Sequence, residues 1–431
     1  MDTREIARYA LDALKAAGAD EAWASAKKIR LDELNVLSGE MNLMRTVYTT
    51  DFALKAVKDQ KKGVVMLNRA EKKDIEEAVK DAMAAAENAP ADPCEGVSEL
   101  IRNASFTNEG SEGDMEALYD RMTEFLTDVK EKYPSVVIEE MTGKYYTEES
   151  TYQNSNGVDF HEEDGIYGFS VTFSAHEGEK ASSFNYTGAS FRKTDRPLLS
   201  IGMTEDLIRE STESLDAGSV DGKFTGTVVL TPASIGDLIG TICYNFLSDD
   251  ALIEGTSIWK DKLGEKVASE EFSLTIDPEG PGVVSPYRFT VDGYLIERLP
   301  LIEKGVLKNF MLSRYGAKKT GGKRTFADSS NLLVSPGEKS LEEIIGGIER
   351  GVYVERLSGG APSANGDLTA VAKNSFLIEN GRIGKALNET MLSFNVADAI
   401  QNVVGISRET RSDGSGDEPW IAFDGATVSG K

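Results

Sequence analysis

Beyond Pro134 the chain alternates apolar and polar residues with period two, which restricts a long stretch of it to half-buried antiparallel sheet. Ser135–Met141, Lys144–Tyr152, Ile166–Ala175 and Ser182–Phe191 read as a meander of strands. The residues ahead of Pro134 keep another rhythm. Ile6, Tyr9, Ala10, Ala13 and Leu14 fall on one face of a helix over Glu5–Ala17. A second helix is predicted over Lys72–Asn88; the run Ala89-Pro90-Ala91-Asp92-Pro93 stops it, because proline cannot continue the hydrogen-bond ladder. Met115–Lys130 reads as a third. Strands are predicted near Ala22–Ile29, Met44–Tyr48, Phe52–Val57 and Val64–Asn68, the last two joined by a hairpin with a glycine turn at Gly63.

A chain of 431 residues is too long for one ordinary core. The small, polar, glycine-rich run Asp216–Gly222 divides it into an N-terminal α+β domain over residues 1–220 and a mostly-β domain over residues 221–431. The fold class is therefore α+β with two domains. Met203–Leu215 closes the first domain as a helix, with Thr204 as its N-cap. The second opens on the short strand Val228–Leu230, after which Thr231-Pro232 starts a helix. Ile235, Leu238, Ile239, Ile242 and Phe246 share its core face; Asp237, Thr241, Tyr244, Asn245 and Ser248 fall opposite. Leu301–Leu307 and Leu377–Ile383 echo each other as strand, tight glycine turn, strand.

Charge excludes several partners. With 47 basic and 72 acidic residues the formal net charge is -25, which repels phosphate backbones and anionic membrane surfaces, so neither nucleic acid nor membrane is expected as a partner. Between Phe224 and Ser248 the only charge is Asp237, but that Asp, costing roughly 3 kcal/mol in a bilayer, and the threonines around it favour a strand and a buried helix over a membrane span. The two cysteines, Cys94 and Cys243, form no spaced disulfide framework and fit a reducing compartment. Met1-Asp2-Thr3-Arg4-Glu5 has no basic head followed by an apolar run. A cytoplasmic location is expected.

The chemistry visible in single residues is sparse. The two histidines, His161 and His176, stand among acidic neighbours, read as solvated loop residues, and form no His-Glu-x-x-His pair. No Gly-x-Ser-x-Gly elbow places a serine nucleophile, and no phosphate loop is present. Cys243 lies beside the apolar face of its helix and reads as a buried structural thiol. Gly316–Arg324, with Lys318, Lys319, Lys323 and Arg324, reads as a basic mobile loop able to meet an anion. Asp249, Asp250 and Glu254 lack the spacing of a calcium loop.

From Phe224 onward, several segments together resemble the TldD/PmbA family, once called modulators of DNA gyrase. They are Val228-Val229-Leu230-Thr231-Pro232, Gly255-Thr256-Ser257, Lys262–Ser269, Leu301–Phe310, Ser358-Gly359-Gly360 and Ser375–Gly381. In the active branch of that family the helix after the Val-Val-Leu strand carries His-Glu-x-x-x-His, and a later cysteine adds a metal ligand. Here the matching positions are Gly240, Thr241 and Asn245, and the cysteine's region, Val403–Arg408, holds no thiol. That pattern is similar to the PmbA/TldE branch. The resemblance implies a noncatalytic subunit of a cytosolic metallopeptidase: no catalytic residue and no cofactor in this chain, zinc in a TldD-like partner subunit, or a self-dimer where that partner is absent. Unfolded peptides are the implied substrate, adding as a strand to a sheet edge, with Ser358, Gly359 and Gly360 as groove candidates. The alternative is a non-hydrolytic peptide-binding or gyrase-interacting regulatory protein; a hydrolase with carboxylate metal ligands is a third reading. Histidines five apart stand about 140° apart on an ideal helix, so the family's helix must be distorted there.

Overall fold

The structure, a computed structural model, describes residues 1–108, 113–326, 330–388 and 390–430. Helix α1 (Thr3–Ala16) begins at a capping box: Asp2 accepts from the Glu5 amide and the Glu5 carboxylate accepts from the Asp2 amide. Its face of Ile6, Ala7, Ala10 and Leu14 is buried on a large antiparallel sheet. The first three strands of that sheet, β1 (Glu21–Leu37), β2 (Glu40–Lys58) and β3 (Lys61–Leu67), are longer than the apolar runs that announce them. The β2–β3 turn is made by Asp59 and Gln60, with φ of 52° and 63°, not by Gly63. Gly63 instead lies in β3 beneath α2 (Lys72–Asn88), where a Cβ would collide with the Ala82 carbonyl. The glycine there permits close helix–sheet contact rather than a bend.

The same sheet takes in β4 (Ala104–Thr107), β5 (Val136–Asn154) and β6 (Asp159–Glu177), in the order β3-β2-β1-β5-β6-β4. The short β7 (Lys180–Ala181) and β8 (Asn185–Phe191) also pair with β6. Helices α3 (Met115–Lys132) and α4 (Thr204–Glu213) cover it. Thr204 does not cap α4: its hydroxyl donates back to the Ile201 carbonyl at 2.7 Å, and the N-cap position belongs to Met203.

The second half is built on strands β9 (Lys223–Leu230), β10 (Leu274–Ile276), β11 (Leu299–Glu303), β12 (Val306–Leu307) and β13 (Leu332–Val334). They are followed by β14 (Arg350–Ser358), β15 (Asp367–Glu379), β16 (Arg382–Leu387), β17 (Thr390–Asn395), β18 (Val403–Ser412) and β19 (Asp417–Ser429). The order β14-β9-β19-β17-β15, with β14 also paired to β15, closes a circuit of strands. Strands β10 to β13 form a separate small sheet. The two echoed hairpins turn at Lys304-Gly305 and Asn380-Gly381, both pairs at positive φ, as their glycines predict.

The halves do not keep separate cores. Leu118, Phe125, Phe173 and Leu207 from the first half pack in one cluster with Val229, Tyr353, Phe376 and Trp420 from the second. The other face of β9 and β14 contributes Val228, Leu230, Val352 and Val354 to a second core. The fold is α+β, and among the described residues no helix is long and apolar enough to cross a membrane.

Candidate functional site

After β9 the chain turns sharply. The Thr231 amide bonds to the Val354 carbonyl at 3.3 Å and the Ser234 hydroxyl donates to the same oxygen at 2.8 Å. Helix α5 (Ile235–Thr241) starts three residues after Pro232, once that turn is complete. Its residues Ile235, Leu238 and Ile239 enter the core of the strand circuit, together with Ile242 and Phe246 beyond it. At Ile242–Leu247 the α-helix widens into a π turn, with i→i+5 hydrogen bonds. The extra residue per turn rotates Asn245 back toward the side of Gly240, the distortion that a five-residue spacing demands.

The three positions are thus brought onto one helix, but none offers a metal ligand. A Cβ at Gly240 would meet nothing within 4 Å, so the space above it is open. Thr241 is buried and its hydroxyl donates to the Asp237 carbonyl at 2.8 Å. The Asn245 amide donates to the Ser363 carbonyl at 2.9 Å, tying the helix to the loop between β14 and β15. A backbone glycine, a hydroxyl engaged with its own helix and an amide NH2 do not fit a zinc ion, which takes thiolate, imidazole or carboxylate. Among the described residues no three His, Cys, Asp or Glu side chains converge to hold a metal. Cys243 on the same segment is buried, and burial pushes its thiol up to about 12.

Ser358, Gly359 and Gly360 end β14 and enter the loop tethered by Asn245. Gly360 has φ of 78° and a Cβ there would strike the Thr369 carbonyl, so its bareness serves the chain's own backbone; Gly359 faces open space. Beside them is an open edge. The pairing of β9 with β14 stops at Val354, and the described residues supply no strand on that side for Arg356–Ser358.

Sequence reasoning missed an acid pair at the seam of the two halves. Glu355 on β14 is 1% exposed and accepts from the Thr231 hydroxyl at 3.0 Å. Glu210 on α4, 4% exposed, hydrogen-bonds to it from the other half. Burial pushes the Glu355 carboxyl up from 4.5 to about 7; burial, then the facing Glu355 charge, push Glu210 well above its ordinary value. Glu210 Oε2 and Glu355 Oε1 otherwise lack a donor, and one shared proton satisfies both. The only trace in the sequence is a lone acid at the end of the apolar run Val352-Tyr353-Val354.

The histidines are not loop residues. Both lie in β6, and His161 is 6% exposed. Thr151 Oγ1 lies 2.9 Å from His161 Nδ1, and Glu163 Oε1 lies 3.2 Å from Nε2. That hydroxyl–imidazole–carboxylate order is the order of a nucleophilic triad, but Thr151 is 1% exposed and hydrogen-bonds onward to the buried Thr3 hydroxyl. No substrate reaches it, and the chain of bonds anchors α1 to the sheet. The basic segment Gly316–Arg324 is not a free loop either. Lys319 pairs with Asp92 at 2.8 Å, and Arg324 pairs with Asp292 at 3.1 Å and stacks on Tyr294. In a strongly acidic chain two of its cations, Lys319 and Arg324, are neutralised by the chain's own carboxylates. Asp249 likewise accepts from the Ser313 amide at 2.9 Å.

Residues 222–430 match the profile of the PmbA/TldA metallopeptidase C-terminal domain. A metalloprotease of Methanothermobacter thermautotrophicus is 31% identical over 196 residues, covering 43% of this chain and 43% of that relative. The match therefore spans less than half the relative's length. Two crystal structures share the whole fold. TldE from Thermococcus kodakarensis superposes with a TM-score of 0.83 at 22% identity, over 99% of each chain. A candidate modulator of DNA gyrase from Bacteroides thetaiotaomicron gives the same values. The strand β9, the helix after it and the closing strand β19 all lie inside the matched segment, so the likeness to the PmbA/TldA metallopeptidase C-terminal domain belongs to residues 222–430, and the whole chain shares the TldE fold.

Proposed function

We propose that this chain is the zinc-ligand-deficient subunit of a TldD/TldE-type metallopeptidase, shaping a groove for unfolded peptides while a zinc-bearing partner supplies the hydrolytic centre. The observation that carries this reading is the helix Ile235–Leu247. It has the wide turn that a His-Glu-x-x-x-His spacing requires, yet presents Gly240, Thr241 and Asn245 there. The open edge at Arg356–Ser358, alongside that helix, suits backbone pairing with an extended peptide, which gives affinity with little sequence preference. A heterodimer fits this division of labour, and a self-dimer serves where no zinc-bearing subunit is made.

Co-expression with a TldD-like subunit carrying His-Glu-x-x-x-His tests the proposal. The expected outcome is a co-purifying complex that contains zinc and cleaves unfolded peptides, whereas this chain alone gives neither. Chelator-sensitive cleavage by the chain alone would sink it.

A further inference from the structure

Arg356 and Lys373 are directly opposite on β14 and β15. Cross-strand partners project from the same face with Cβ atoms about 5 Å apart, and like charges so placed repel. Among the described residues neither has a carboxylate within ion-pair distance, although acids outnumber bases throughout the chain. The Arg356 guanidinium is also held in place. It lies 4.7 Å from the Phe184 ring and 5.3 Å from the Tyr186 ring, and one nitrogen donates to the Phe184 carbonyl at 3.1 Å. Its Nε is buried with no partner. Both aromatic rings are more than half exposed. The result is a fixed, unpaired guanidinium with a second cation beside it and two exposed rings around it, the composition of an anion site.

Its position selects the anion. The free edge of β14 runs only from Arg356 to Ser358. Beyond Val354 it is occupied by Thr231 and β9, and after Ser358 the strand ends in the Gly359-Gly360 turn. A peptide paired along this edge must therefore stop beside Arg356, where two cations accept a carboxylate and repel an ammonium. We propose that Arg356 and Lys373 bind the terminal carboxylate of an extended peptide whose backbone pairs with the β14 edge. This rests on the peptide-groove reading above and adds to it a preference for chain ends.

The test compares three forms of one unstructured, N-terminally labelled peptide by fluorescence anisotropy on the full chain: free acid, C-terminal amide, and amide with glutamate as its last residue. The free acid is expected to bind at least about tenfold more tightly than either amide, with an affinity that falls as salt rises. R356Q and K373Q should each reduce the preference for the free acid over the plain amide. Equal binding of free acid and plain amide overturns the anchor and leaves the peptide groove standing. Binding of the glutamate amide as tightly as the acid overturns the assignment to the chain terminus. Failure of all three peptides to bind overturns the groove reading, and the anchor with it. The wild-type comparison needs no variant to fold, and R356K, which keeps the charge but not the planar fork, should retain part of the preference.

Discussion

Replacing Glu355 by glutamine should change how stability depends on pH, with a sign and size fixed by the seam. The folded state holds the Glu355 carboxyl at about 7 against an ordinary 4.5, because burial penalises the charged form. An acid raised on folding binds more protons in the folded than in the unfolded state, so the stability tied to it is complete below the unfolded value and is lost as pH climbs through the folded one. At about 1.4 kcal/mol per pH unit, Glu355 alone costs about 3 kcal/mol between about pH 4.5 and pH 7. Glu210 shifts in the same direction and steepens the loss. In E355Q the amide oxygen still accepts from Thr231, while the NH2 offers Glu210 a permanent donor in place of the shared proton. The groups around the pair, Asp206, Arg209 and Tyr353, are left unchanged. Urea unfolding followed by tryptophan fluorescence at about pH 5 and about pH 8 reads the difference, since Trp420 donates to Tyr353 in the same region. The variant should match wild type near pH 5 and exceed it by about 2–3 kcal/mol near pH 8. Parallel pH profiles for the two proteins would refute the shared proton.

Three further outcomes follow from the helix and its loop. N245A removes the bond to Ser363, worth about 1 kcal/mol, and should raise hydrogen exchange in residues 363–366 several-fold with the rest of the protein unchanged. G240H/N245H should create a two-imidazole site for zinc or nickel, because the π turn swings 245 toward 240 and the space over Gly240 is open; calorimetry showing no tighter binding than G240H alone would contradict the geometry. Native alkylation should modify Cys94, which is half-buried, and spare Cys243, whose thiol is buried and raised to about 12; mass spectrometry should find the second adduct only after unfolding.

Local signals in the sequence carry far, and the failures share a cause. The amphipathic faces of α1 and α2 and the glycine pairs of the two echoed hairpins specify their structures because each depends on residues within a few positions of one another. The middle of β1, Lys27 to Glu33, is charged or polar at most positions, so no apolar alternation marks it, yet it is held between β2 and β5 throughout. Sheet pairing on both sides overrides the weak local preference. The same applies to His161, which acidic neighbours place in a loop and cross-strand pairing places in β6. Gly63 shows the reverse error: glycine reads as a turn residue, but its role is set by α2 above it. The Glu210–Glu355 pair joins residues more than a hundred positions apart, and no periodicity within either segment announces it.

The wide turn at Ile242–Leu247 is the point where local and distant constraints meet. A π turn gives up regular helix bonding, so it persists where side-chain placement offsets that loss. Here one turn must deliver Phe246 into the core, where its ring centroid is 4.7 Å from that of Trp259, and Asn245 outward to Ser363. The Phe246 carbonyl is taken up by the Ser257 hydroxyl at 2.7 Å, and the Tyr244 carbonyl by Ser248 at 2.6 Å. In a regular α-helix each residue turns about 100°; without the inserted residue, holding Phe246 in the core would swing the positions before it away from the loop. The distortion therefore has a structural basis in this chain that needs no metal: it couples the packed helix to the loop that follows the open edge of β14. A substitution that restored regular helix pitch would be felt at Ser358–Gly360 even though it touched none of those residues.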